Sequence, residues 1–93
     1  MAQFKLWAVY IPQLEQWTRE TGARMEAEVD NEEHDLDVEY FDFNDPRVAL
    51  YGWENVPLFA AVKYDQPFQT VVGKQSWETY DAWIRGLNWK LDQ

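Results

Sequence analysis

The sequence contains no cysteine in its 93 residues. That excludes disulfide support for the core, thiol–disulfide exchange and any thiolate-held metal. It has a single histidine, His34, and a single serine, Ser76. A Ser-His-acid triad would have to bring these two together across the domain, and Ser76 is better placed as a helix cap. The four glycines, Gly22, Gly52, Gly73 and Gly86, stand singly, so there is no glycine loop to cradle a phosphate. No apolar run approaches the roughly 20 residues of a membrane span. Met1 to Lys5 lacks the basic stretch and apolar run of a signal peptide, so a cytoplasmic protein is expected. Positive charge is scarce: eight Lys plus Arg face seventeen Asp plus Glu, a net charge of −9. This balance argues against direct contact with nucleic acid or an anionic membrane and permits a basic protein partner. Neither a cofactor nor an enzymatic activity is expected.

What the chain does have is aromatic bulk: six Trp, five Tyr and five Phe. Each buries about 150–250 Å², enough for one modest core in one domain, residues 1–93. Phe4 to Ile11 is apolar, aromatic and β-branched, and predicts a buried strand. Pro12 then opens a helical stretch from Gln13 to about Val29, with Leu14, Trp17, Met25 and Val29 on one loose face and a break expected at Thr21-Gly22. Asp30 to Asp35 is a charged loop. Leu36 to Phe43 alternates as a strand, with Phe41 and Phe43 on its second face. Asn44-Asp45-Pro46 starts a short helix, Arg47 to Tyr51, with Gly52 at its C-terminal end. Val56 to Tyr64 predicts a third strand, Asp65-Gln66-Pro67 a hairpin turn, and Phe68 to Val72 the returning strand. Ser76 caps a last amphipathic helix carrying Trp77, Tyr80, Trp83, Ile84 and Leu87. The order β-α-β-α-β-β-α predicts an α/β protein with a four-stranded mixed sheet flanked by helices.

Four short segments sharpen this order. They are Leu6-Trp7-Ala8 in the first strand, Asp42-Phe43-Asn44-Asp45-Pro46, Leu50-Tyr51-Gly52-Trp53-Glu54-Asn55-Val56-Pro57, and Val72-Gly73 before Ser76. Taken in order and at near-family spacing, they resemble the thioredoxin fold from about Phe4 to Leu87. The resemblance implies a thioredoxin-like sheet, a cis-proline at Pro57 and a peptide groove beside it. It does not imply redox chemistry. Ile11-Pro12-Gln13-Leu14 stands where the family carries Cys-x-x-Cys, and Lys5 stands near its buried helper acid. Val72-Gly73-Lys74-Gln75 lacks the pattern that glutaredoxins use for glutathione.

Two surfaces are candidates for function. The groove implied by the resemblance would be formed by Tyr10, Ile11, Pro12, Gln13, Trp53, Val56, Pro57, Val72 and Gly73, as a protein-binding site; otherwise Pro57 serves the fold alone. The second is an acidic tract, Glu26, Glu28, Asp30, Glu32, Glu33, Asp35, Asp37 and Glu39, continuing to Asp42 and Asp45, with no cation between Arg24 and Arg47. It is either a solvated surface or a patch that attracts a basic partner, as a decoy of a nucleic-acid-binding protein of the kind a phage accessory protein provides. A cation site at Asp30, Glu32, Glu33, His34, Asp35 and Asp37 lacks both the glycine of a calcium loop and a second histidine for zinc. Trp7 and Trp77 are expected in the core, Trp53 as an exposed anchor near the groove, and Trp83 and Trp89 with Tyr80 in a second aromatic patch. The expectation is a redox-inactive protein-binding module, with the acidic decoy as the alternative.

Overall fold

The structure is a computed structural model that describes residues 2–29 and 34–87. Its sheet is four-stranded and mixed, in the order β2-β1-β3-β4. Strand β1 (Ala2–Tyr10) lies at the centre. It pairs in parallel with β2 (His34–Asp42), Leu6 opposite Val38, and antiparallel with β3 (Leu58–Lys63), Leu6 opposite Ala61. Strand β4 (Gln66–Val72) returns antiparallel along the open side of β3. This arrangement is compatible with a thioredoxin-like fold.

The central position of β1 follows from its sequence. Phe4, Leu6 and Ala8 face one core and Trp7 and Val9 the other, so the strand is apolar on both sides. The first core also takes Leu36, Phe59 and Ala61 from the sheet. Helix α1 (Glu15–Val29) adds Met25, and helix α3 (Trp77–Gly86) adds Tyr80 and Ile84, with Leu87 just beyond. The second core takes Phe41, Leu58, Ala60 and Val62, with Val48, Tyr51, Trp53 and Val56 packed against them. Among the described residues only the five-residue helix α2 (Pro46–Leu50) and the chain after it roof this side.

The local signals for the helix starts hold. Asp45 caps α2 by accepting from the Arg47 N–H, with Pro46 in the first turn. Ser76 caps α3 by accepting from the Thr79 N–H. The Val56–Pro57 peptide bond is cis, as the resemblance implied.

Five expectations need correction. Helix α1 runs unbroken through Gly22. That glycine is buried against β2, where an added Cβ would stand 2.9 Å from Cε1 and 3.0 Å from Cζ of Tyr40 and nearer still to its Oη. Gly22 is therefore a close-packing residue. The hairpin turn is Tyr64-Asp65, both with left-handed φ (54° and 62°), so Gln66 and Pro67 already belong to β4. A two-residue turn of this hand matches the twist of the strands it joins. Phe43 lies beyond β2 and is 45% exposed, because the chain has already turned toward α2. Trp77 is half-buried at the edge of the first core, under the Arg24 guanidinium at 4.1 Å. Tyr80 forms no exposed patch: it is 1% exposed, and Trp83 packs against the same core. Trp89 lies outside the described residues, as do Asp30, Glu32 and Glu33.

Candidate functional site

The expected groove divides between two faces of the sheet. The register sets Val9, Leu58 and Val72 side by side across β1, β3 and β4. The next residues along, Tyr10, Pro57 and Gly73, therefore form a row at the end of the sheet. Two backbone bonds tie this row down: the Gly73 N–H donates to the Pro57 carbonyl at 2.7 Å, and the Phe43 N–H donates to the Tyr10 carbonyl at 3.1 Å. Gly73 turns here with φ +86°, a conformation that favours glycine. Ile11 leads out of β1 into a single 3-10 turn, Pro12–Leu14, closed by the Leu14 N–H on the Ile11 carbonyl at 2.9 Å. Pro12 and Gln13 are exposed, Tyr10, Ile11 and Val56 half-buried, and Pro57 buried. Val72 is 40% exposed. Among the described residues no hydrogen bond is made by the backbone of Val56.

Trp53 does not stand in this row as an exposed anchor. Its ring packs edge-on to Trp7 at 6.4 Å and against Tyr51 at 5.2 Å, in the second core. Together with Tyr51, Pro67, Phe68, Gln69 and Thr70 it lines an open hollow of about 330 Å³ between the α2 side and β4. No charged residue lines it. A second depression, of about 570 Å³, runs over the outer face of α1 from Pro12 to Ala23 and carries Glu15, Arg19 and Glu20. Lys5, which the resemblance sets near the family's helper acid, is half-buried and opposite Asp37 in the strand register. Its side chain shares a sheet face with Trp7 and Val62, and nothing there offers thiol chemistry.

The described acids of the tract lie on different faces of the sheet. Glu28 pairs with Arg85, which also holds Asp81 at 2.8 Å across α3. On the other face of the sheet, Glu39 pairs with Arg47 at 2.9 Å. Asp45 is bound to the same guanidinium through two bonds, 2.9 and 3.0 Å. Side chains alternate along β2, so Asp37 and Glu39 point to the opposite side from Val38 and Tyr40. The side chain of Asp35 lies outside the described residues. Among the described residues no group of three or more acidic or histidine side chains is arranged to hold a metal ion.

Arg47 is the residue that sequence reasoning passed over. Its guanidinium lies 3.7 Å from the Phe41 ring centre and 4.8 Å from that of Trp7, while its nitrogens hold Asp45 and Glu39. The Asp45 hydrogen bond, followed by Glu39, holds the guanidinium firmly charged, well above its ordinary value. The same contact holds the Asp45 carboxyl below the usual carboxylate range. Its signal in the sequence was its isolation, as the first cation after the acidic run. Beneath it the Trp7 Nε1–H is buried and finds no acceptor among the described residues.

The tyrosines on the first face are engaged. Arg19 sits over the rings of Tyr10 at 5.7 Å and Tyr40 at 4.9 Å. Tyr80 Oη accepts from the Gln75 N–H at 2.9 Å and donates to the Gly73 carbonyl at 2.7 Å, tying α3 to the sheet end. Burial raises the pKa of both Tyr40 and Tyr80.

No protein-family model matches the chain, and no curated protein matches it. Among the described residues no helix is long and apolar enough to cross a membrane.

Proposed function

We propose that the chain is a thioredoxin-like protein that does no thiol chemistry and works by binding another protein at the end of its sheet. The observation that carries this reading is the row Tyr10, Pro57 and Gly73. It is flanked by half-buried Ile11 and Val56 and by exposed Val72, with the Val56 backbone making no hydrogen bond among the described residues. Unpaired backbone beside apolar side chains is what an extended peptide uses to dock: main-chain bonds give affinity and flanking side chains give selectivity. The reading is of a binding protein rather than an enzyme. Ser76, the one serine, has its hydroxyl engaged at the N-cap of α3.

The decoy alternative has less support. Glu28, Glu39 and Asp45 of the tract are matched by Arg85 and Arg47 on different faces of the sheet. A mimic of phosphate rows needs its charges on one side and unmatched.

Affinity capture from the host at low and high salt tests the proposal, using the wild type and the double variant Tyr10→Ala/Ile11→Ala. Circular dichroism confirms that the variant is folded. The expected result is a partner retained at both salt concentrations and lost with the variant. Unchanged capture by the folded variant refutes the groove. A partner that leaves at high salt and ignores the variant assigns binding to the acids instead.

A further inference from the structure

Among the described strands β2 and β4 are the two edges of the sheet, and they are treated differently. Strand β2 carries Asp37, Glu39 and Asp42. Charges of this kind are how proteins keep an edge from pairing with another chain. Strand β4, Gln66–Val72, carries no charge at all, in a chain of net charge −9. Its defences sit at one end. Pro67 lacks an N–H, and the register shift that pairs Ala61 with Gln69 but Val62 with Pro67 leaves Phe68 as an extra, bulged residue.

Among the described residues no strand pairs with the outer side of β4. The Gly73 N–H bonds to the Pro57 carbonyl, so Gly73 points its backbone groups toward β3. Antiparallel ladders alternate, so Thr70 and Val72 point theirs away from β3. The Val72 carbonyl does accept from outside the ladder, from Gln75 Nε2 at 2.9 Å, and Gln75 is an exposed side chain that a strand N–H can replace.

We infer that β4 pairs antiparallel with β4 of a second copy of this chain, about a two-fold axis at Thr70, giving one continuous sheet through both copies. Three observations favour a second copy. An uncharged strand meets itself without like charges opposed, whereas two copies of so acidic a chain repel over most other contacts. Pairing about Thr70 sets Phe68, 38% exposed, opposite Val72, 40% exposed, so two exposed apolar side chains cover each other twice. Asp65 and Lys74 flank the strand with opposite charge. The antiparallel arrangement brings Lys74 of one copy to the end where Asp65 of the other lies, and a parallel one would oppose like with like. The uncharged hollow lined by Tyr51, Trp53 and Phe68 runs beside this seam. The paired stretch is short, so association is weak and concentration-dependent.

Sedimentation velocity over a dilution series up to millimolar chain reads this directly. The wild type is expected to move from one chain toward two. Thr70→Glu and Thr70→Lys, each folded by circular dichroism, are expected to remain single chains, because the axis places each new charge against its copy. Mixing the two variants in equal amounts is expected to restore association. A third variant does not depend on those folds. Thr70→Cys supplies the only thiol in the chain, and opposed Cα atoms in such a pair are about 5.5 Å apart, within disulfide reach. It is expected to cross-link on mild oxidation much faster than Asp37→Cys on β2. A wild type that stays a single chain at every concentration overturns the inference. So does a folded Thr70→Glu that associates like the wild type, or faster cross-linking at position 37.

Discussion

Replacing Gly22 with alanine tests the seam between α1 and β2. In an open helix the change would be favourable by about 1 kcal/mol, because alanine restricts the unfolded chain and suits the helix. Here the new Cβ falls 2.9 Å from Tyr40 Cε1 and 3.0 Å from Cζ. The Tyr40 ring has little room to retreat: it packs against the first core and lies under the Arg19 guanidinium, and its hydroxyl reaches the Arg19 carbonyl at 3.4 Å. Overpacking of this kind costs about 1–3 kcal/mol. Gly22→Ala is therefore expected to destabilise by up to about 2 kcal/mol, against the helix trend. In a Tyr40→Ala background the obstacle is gone, and the same change is expected to stabilise by about 1 kcal/mol. Urea denaturation of the four proteins in the cycle, followed by far-ultraviolet circular dichroism, measures the difference. A Gly22→Ala effect that is the same in both backgrounds would refute the packing argument.

Two further predictions concern hydrogen bonds at the ends of helices. Arg47 holds the folded-state pKa of Asp45 down, so its stabilisation is complete above the ordinary carboxylate value of about 4 and is lost as pH falls through the lower folded value. Asp45→Asn keeps a capping oxygen but does not titrate, so its stability is expected to decline less steeply than that of the wild type below about pH 4, as read from urea midpoints at stepped pH; parallel declines refute the assignment. Tyr80→Phe removes both the acceptor of the Gln75 N–H and the donor to the Gly73 carbonyl, at a residue 1% exposed. It is expected to cost about 1–3 kcal/mol with an unchanged denaturant slope, and a loss near zero would show that the two backbone groups find other partners.

Much of the fold was legible because its signals are local. An apolar, aromatic and β-branched run marked β1 as a buried strand, and Asp45-Pro46 and Ser76 marked two helix starts through their own side chains. What was missed depends on contacts distant in sequence. Gly22 looks like a breaker until Tyr40, on another element, shows why a Cβ is excluded. The Tyr64-Asp65 turn escaped because tyrosine is not a residue that announces left-handed backbone, whereas the neighbouring Pro67 suggests a turn and instead sits in an edge strand. Tyr10, Pro57, Val72 and Gly73 meet at one end of the sheet because the strand order and register bring Val9, Leu58 and Val72 side by side. Trp53 was misplaced because nothing local says that Trp7 and Tyr51 draw it into the second core. Charge counting could not foresee that Arg47 and Arg85 divide the acids between faces.

The central place of β1 also bears on how the chain is made. Its partners are β2, in which His34 lies opposite Ala2, and β3, in which Leu58 lies opposite Val9. Both follow it along the chain, so β1 leaves the ribosome before either. At about 5–20 residues per second, the strand that is apolar on both faces waits for seconds before the far side of its ladder exists. The hairpin of β3 and β4 needs no such wait, because its turn is two residues long. Within this chain the order of synthesis thus leaves a strand that is apolar on both faces without its β3 neighbour until about residue 63 has emerged.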